Sequence, residues 1–165
     1  MGEFIGRVRE MEQLEELFAS DYVCTCAVYG RRRTGKSRLL REFCKGKRHV
    51  YLTAMGINRE RTLQGFRSAL SAFPETDPEG IIDVQTFLDS LTRLSSAERT
   101  VVVIDEFPRL VDVCEEAPAL LQVFVDHELE RNNLFLILCG SSISAMGEHL
   151  NDGDAPLFRR FVAQM

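Results

Sequence analysis

The stretch Val28-Tyr29-Gly30-Arg31-Arg32-Arg33-Thr34-Gly35-Lys36-Ser37 decides the fold, because it fits the pattern G-x-x-x-x-G-K-[ST] directly after an apolar, β-forming run. Gly30 and Gly35 free the backbone to curl into a concave loop whose N–H groups face one anion, and a helix starting near Lys36 adds its positive end. In such a loop Lys36 reaches the β- and γ-phosphates of a nucleotide and Ser37 ligates Mg²⁺. Arg31, Arg32, Arg33, Thr34 and Arg38 flank the same position and join them as candidate nucleotide-binding residues.

Outward from the loop, apolar strands alternate with amphipathic patterns. Val8, Met11, Leu14 and Leu17 predict a helix from Val8 to Phe18. Tyr22 to Tyr29 reads as a strand apolar on both faces, and Ser37 to Cys44 as the helix leaving the loop. Further strands are expected at His49 to Thr53, Thr100 to Asp105 and Leu134 to Cys139. Helices are expected at about Arg59 to Phe73, Val84 to Leu94, Pro118 to Glu130 and Ile143 to Leu150. Asn151 to Met165 shows no evident element. Strands that are apolar throughout and alternate with helices predict an α/β fold, a parallel sheet covered on both faces.

A second motif bears on the reaction. Val101-Val102-Val103-Ile104-Asp105-Glu106 is an apolar strand ending in two carboxylates, at the sheet edge where parallel folds present ligands. Asp105 is a candidate for holding the metal, and Glu106 for taking a proton from an attacking water or orienting it. A hydrolase positions that water whereas a kinase excludes it, so Glu106 favours hydrolysis. Leu134 to Ser142 ends another strand in hydroxyls at the same edge. Two uses are open to Ser141: a hydrogen bond to the γ-phosphate or the lytic water, or, like Ser142, the N-cap of the helix that follows. No [NT]-K-x-D segment of the kind that reads guanine occurs, which leaves GTP without support.

The composition is that of one globular domain: 165 residues, 45% hydrophobic and 27% charged, with net charge −5. Its apolar runs are far shorter than a membrane span requires. Met1-Gly2-Glu3-Phe4 lacks a basic-then-apolar signal pattern, and Gly6 stands where a myristoylation motif needs Ser or Thr. A cytoplasmic protein with no membrane partner is expected. The cysteines Cys24, Cys26, Cys44, Cys114 and Cys139 lack C-x-x-C spacing and read as reduced thiols, with Cys24 and Cys26 on one strand face, as small buried residues or as half of a metal site. From Gly30 to Arg48 nine basic residues face the single Glu42. That field suits a triphosphate or a nucleic-acid backbone, and also a plain solvated helix face.

Five blocks in order resemble the archaeal-type ATPases related to the AAA+ and STAND nucleotide switches. They are Phe4-Ile5-Gly6-Arg7 with Glu10; the loop Gly30 to Ser37; Val103 to Leu110; Cys139-Gly140-Ser141-Ser142 with Met146; and Pro156-Leu157 followed by arginine. The resemblance, from about residue 4 to 160, implies a three-layer αβα P-loop NTPase with strand order 5-1-4-3-2, the Ser141 strand lying between the Gly30 and Asp105 strands. It also implies that Phe4, Ile5, Gly6 and Arg7 line an adenine pocket, although Phe4 and Ile5 also suit a hydrophobic staple before a helix. Relatives carry Gly before the arginine of Pro-Leu-x-Gly-Arg where this chain has Arg159, so the arginine's role falls to Arg159 or Arg160. Relatives also continue into a fifth strand and a lid or winged-helix domain. The expectation is therefore a single ATP-binding domain over residues 1–165 with the fifth strand missing or truncated, and the apolar Tyr22 to Tyr29 strand left as an edge, either of a truncated polypeptide or for a partner to complete.

Together these readings imply Mg²⁺-dependent hydrolysis of ATP to ADP and phosphate, driving a conformational switch in an attached or partner module or in a homo-oligomer. Lys36, Glu106, Ser141 and Arg160 are the candidate catalytic residues, Arg160 as a charge-stabilising finger across an interface; Ser37 and Asp105 are the candidate metal ligands. The alternatives are an ATP-holding switch without turnover and a DNA-associated ATPase module.

Overall fold

The computed structural model describes residues 6–22, 24–94, 98–161 and 163–165. Five parallel strands form one sheet: β1 (Thr25–Tyr29), β2 (His49–Thr53), β3 (Thr100–Asp105), β4 (Leu134–Gly140) and β5 (Ala163–Gln164). Their order is β2-β3-β4-β1-β5, the expected order read from the other edge. Among the described residues seven α-helices cover it: α1 (Val8–Ala19), α2 (Lys36–Cys44), α3 (Arg59–Leu70), α4 (Val84–Thr92), α5 (Phe107–Val113), α6 (Ala117–His127) and α7 (Ile143–Leu150).

Alternation along the central strands splits the core into two layers, because successive side chains leave a strand on opposite faces. Val101, Val103, Phe135 and Ile137 pack with Leu14 of α1 and Leu39, Leu40 and Phe43 of α2. Val102, Ile104, Leu136 and Leu138 pack on the opposite face with Phe66, Phe87, Phe107 and Leu121 from α3 to α6, and with Met146 of α7. Every residue of β3 and β4 is buried, which is why both read as unbroken apolar runs.

Several boundaries and one face assignment differ from the sequence reading. Tyr22 sits exposed in a turn, so β1 begins at Thr25. Cys24 therefore precedes the strand and packs against one core layer while Cys26 lies in the other, which separates the pair. Burial pushes the Cys26 thiol up to about 12, the behaviour of a core residue. The helix α5 has no counterpart among the expected helices, and the C-terminal segment, in which no element is evident from sequence, supplies β5. Cys26 pairs with Ala163 and Ala27 with Gln164, and Met165 extends the ladder through Tyr29 N–H to Met165 O and Met165 N–H to Ala27 O, both 2.8 Å. The flank of β1 expected to stand open is thus covered by a short strand.

Register places the site. Tyr29 lies opposite Gly140 and Ile104 opposite Leu138, so the residues that follow β1, β3 and β4 emerge along one edge of the sheet. Those residues are Gly30, Glu106 and Ser141.

Candidate functional site

Gly35 adopts φ +80°, a left-handed conformation that costs a glycine nothing, and this bend turns the loop into α2 at Lys36. Among the described residues no side chain caps that helix, which leaves its first N–H groups open at the loop. Lys36, only 7% exposed, folds its ammonium back into the loop, donating to Gly30 O at 2.9 Å, Arg31 O at 2.6 Å and, more weakly, Thr34 Oγ1 at 3.4 Å. The loop's own oxygens thereby hold a buried cation.

Glu106 follows β3 with φ +59°, a strained conformation for a residue with a Cβ, and stands at the N-terminal boundary of α5 without a side-chain capping bond among the described residues. The turn aims its carboxylate across the sheet edge, where Ser141 Oγ donates to Glu106 Oε2 at 3.0 Å. The two uses open to the serines separate here. Ser142 caps α7 by accepting from Ala145 N–H at 3.2 Å, which leaves Ser141 to Glu106.

Asp105 lies beneath this pair and is 2% exposed. Its Oδ2 accepts from Tyr51 OH at 2.7 Å, while Oδ1 has no hydrogen-bond partner among the described residues. The neighbouring Cys139 thiol is a weak donor, and burial followed by the Asp105 charge pushes its pKa well up, so it stays protonated. Burial and the same hydrogen bond raise the Tyr51 phenol, and the Arg41 guanidinium stacks 4.4 Å over its ring. A buried carboxylate oxygen left unpaired is costly unless something else fills its valence, and it suits a hard cation held through one carboxylate, a hydroxyl and phosphate oxygens.

Two cavities meet at the loop. One of about 350 Å³ is lined by Arg32, Arg33, Thr34, Gly35, Lys36, Ser37, Arg38, Glu106, Arg109 and Ser141. The other, about 260 Å³, lies towards α1 and is lined by Arg7, Glu10, Tyr29, Gly30, Arg31, Leu39 and Met165, sharing Thr34 and Lys36 with the first. Arg7 donates to Thr34 O and so fastens the start of α1 to the loop. Gly6 is exposed with φ +112° and lines neither cavity, and Phe4 and Ile5 lie outside the described residues.

Arg160 does not line either cavity, as an arginine expected to act across an interface need not. Its Nε and Nη2 donate to the two oxygens of Asp126 at 2.8 and 2.9 Å, and Nη1 donates to Pro156 O at 2.9 Å. Its own carbonyl accepts from Thr25 Oγ1, at the start of β1, a strand's length from the loop. Arg159 adopts φ +59°, the conformation a glycine takes without strain, which aligns it with the glycine of Pro-Leu-x-Gly-Arg and makes Arg160 the motif's arginine.

Residues 4–161 match the family described as an ATPase domain predominantly from Archaea. The chain belongs to this family. Over 157 residues this ATPase-family chain is 29% identical to the uncharacterized protein MJECL04 of Methanocaldococcus jannaschii, covering 95% of itself and 34% of that protein. Its fold is similar to that of the Walker-type ATPase PABY2304 of Pyrococcus abyssi, with TM-score 0.74 and 23% identity, covering 96% of this chain and 52% of that one. It is also similar to Drosophila ORC bound to DNA, with TM-score 0.67, 23% identity and coverage of 92% and 41%. Cdc6p from Pyrobaculum aerophilum follows with TM-score 0.61, 17% identity and coverage of 99% and 46%. The chain thus spans between a third and about half the length of these relatives. Among the described residues no helix is long and apolar enough to cross a membrane.

Sequence reasoning missed two residues of this ATPase-family site. Tyr51 reaches Asp105 only because β2 pairs with β3 in the register Tyr51 to Val103. Arg109 enters the cavity beside Glu106 and Ser141 from α5, whose seven residues are too few to display a helical period.

Proposed function

We propose that this chain binds ATP with Mg²⁺ and hydrolyses it to ADP and phosphate, and that the change of nucleotide switches an attached or partner module. The observation that carries the reading is the convergence of Lys36, Ser37, Glu106 and Ser141 on one cavity above the unpaired Asp105 Oδ1. The cavity towards Arg7 and Tyr29 takes adenine, and the loop from Gly30 to Ser37 takes the phosphates, with Arg31, Arg32, Arg33, Thr34 and Arg38 around them. Ser37 and Asp105 hold Mg²⁺, which when bound neutralises phosphate charge and orients the γ-phosphate. Among the described residues no cluster of three or more His, Cys, Asp or Glu stands ready to cage a metal, in keeping with an ion that arrives on the nucleotide.

Lys36 leaves the carbonyls of Gly30 and Arg31 for the β- and γ-phosphate oxygens. Glu106 takes a proton from water as the water oxygen bonds to the γ-phosphorus, and the bond to the β,γ-bridging oxygen breaks, with its electron pair leaving on ADP. Ser141 positions the Glu106 carboxylate through the 3.0 Å hydrogen bond. Its reduced, largely buried thiols and the absence of a spanning helix among the described residues suit a cytoplasmic setting.

Calorimetry with ATP, with and without EDTA, and phosphate release from the wild type and from Lys36→Ala and Glu106→Gln test the reading. It expects Lys36→Ala to abolish binding and Glu106→Gln to bind without turnover; unimpaired binding by Lys36→Ala refutes it. A second reading, an ATP-holding switch without turnover, is favoured by the Ser141 donor that already occupies Glu106 Oε2, and single-turnover phosphate release separates the two. A DNA-associated role draws on the exposed Arg31, Arg32 and Arg33 and on the DNA-bound Drosophila ORC structure. It predicts DNA affinity that falls steeply with salt.

A further inference from the structure

We infer that Arg109 is a ligand of the terminal phosphate, a residue through which the site tells ATP from ADP. The inference rests on the proposed nucleotide reading of the cavity and adds to it a group that the phosphate-loop motif does not contain.

Position is the first support. Arg109 lines the phosphate-side cavity beside Glu106 and Ser141 and does not line the cavity towards α1. The two cavities meet at Thr34 and Lys36. A nucleotide laid through both, base towards Tyr29, directs its last phosphate to the end that Arg109 shares with Glu106.

The state of the side chain is the second. Arg109 is half-buried, yet its guanidinium has no hydrogen bond or ion pair among the described residues. Elsewhere the structure engages its half-buried arginines: Arg48 pairs with Glu75, Arg67 donates to Ile81 O and Arg160 pairs with Asp126. A planar fork of five donors left open at the wall of a cavity matches phosphate geometry.

The stem, by contrast, is held. Arg109 N–H donates to Glu106 O at 2.9 Å, one turn from the carboxylate at the sheet edge. Its Cβ packs so closely on Gly56 that a Cβ added there would lie 3.1 Å away, and Gly56 adopts φ +68° to permit the approach. A fixed stem carrying a free guanidinium loses little freedom when an anion arrives.

Titration calorimetry of the full chain with Mg·ATP and with Mg·ADP tests this. The variants are Arg109→Gln, which keeps a stem on Gly56, and Arg109→Lys, which keeps the charge. The expected result for Arg109→Gln is ATP binding weakened about 10- to 100-fold, the worth of a charge-assisted hydrogen bond, with ADP binding changed less than about twofold. Arg109→Lys should recover part of the ATP affinity. Equal losses for ATP and ADP, which a purely structural role produces, overturn the inference, as does unchanged ATP affinity. If the wild type binds neither nucleotide, the proposed function itself fails; wild-type binding with an unaffected Arg109→Gln overturns this inference alone.

Discussion

Replacing Tyr51 with Phe removes one oxygen and should expose how heavily the buried Asp105 leans on it. The Tyr51 hydroxyl donates to Asp105 Oδ2 at 2.7 Å, Asp105 is 2% exposed, and Oδ1 has no partner among the described residues. The variant therefore leaves a carboxylate sealed from water with only the weak Cys139 thiol donor beside it. The ring itself stays in place under Arg41, so little packing is lost. Hydrogen bonds to charged groups are worth about 1.5–3 kcal/mol. For a domain of this size that corresponds to a fall in Tm of about 4–8 °C. Because burial and Asp105 raise the phenol's pKa, its stabilising contribution is fully present below the unfolded value of about 10 and is lost only as pH rises through the folded value, so the deficit should be flat from about pH 6 to 9. The assay is thermal unfolding by circular dichroism in EDTA, run as a double-mutant cycle with Asp105→Asn. In the Asp105→Asn background the same change should cost less than about 1 kcal/mol, since the group left unpaired is neutral. Equal losses in both backgrounds, or no loss from Tyr51→Phe alone, would refute the coupling.

Arg160→Ala should leave nucleotide affinity within about twofold and lower stability by about 0.5–1 kcal/mol, the range for a partly exposed ion pair; a large loss of binding would return Arg160 to the site. Arg160 holds the Asp126 carboxyl below its usual range, so the pair stabilises above the unfolded value of about 4 and is lost as pH falls through the lowered folded value. The Tm gap between wild type and Arg160→Ala should accordingly hold above about pH 5 and close in stronger acid. Arg159→Gly relieves φ +59° and should raise Tm by about 1–3 °C, as about 1–2 kcal/mol of left-handed strain outweighs the entropy that glycine loses on folding; a lower Tm would mean that the Arg159 contact over the Phe158 ring, 5.1 Å away, matters more. Gly140→Ala would put a Cβ 2.7 Å from Met146 Cγ and Sδ and 3.2 Å from Pro108 Cδ. Overpacking of that kind should cost about 1–3 kcal/mol and displace the adjoining Ser141, seen as weakened ATP binding in calorimetry.

Much of the fold was legible because its signals are local. Two glycines at fixed spacing before Lys36 and Ser37 specify a phosphate loop whatever surrounds them, and the burial of β3 and β4 on both faces is written into their apolar runs. The strand order came from the resemblance, and the structure bears it out. What escaped was too short to be periodic. The seven residues of α5 and the two of β5 carry too few positions for a hydrophobic repeat, and β5 exists because the apolar flank of β1 offers unpaired backbone to the residues that pass it.

Within the site the sequence by itself determined the chemistry of the loop and the two carboxylates, since backbone freedom at Gly35 and the order Asp105-Glu106 at a strand end are properties of neighbours in the chain. Only the tertiary structure decided which distant groups meet them. Ser141 and Tyr51 reach Glu106 and Asp105 through strand register, Arg109 comes to the cavity on a helix turned by the left-handed Glu106, and Arg160 goes instead to Asp126. The reason is geometric: a contact between side chains dozens of residues apart depends on the pairing of whole strands, and a one-residue slip of β2 would turn Tyr51 to the other face, away from Asp105.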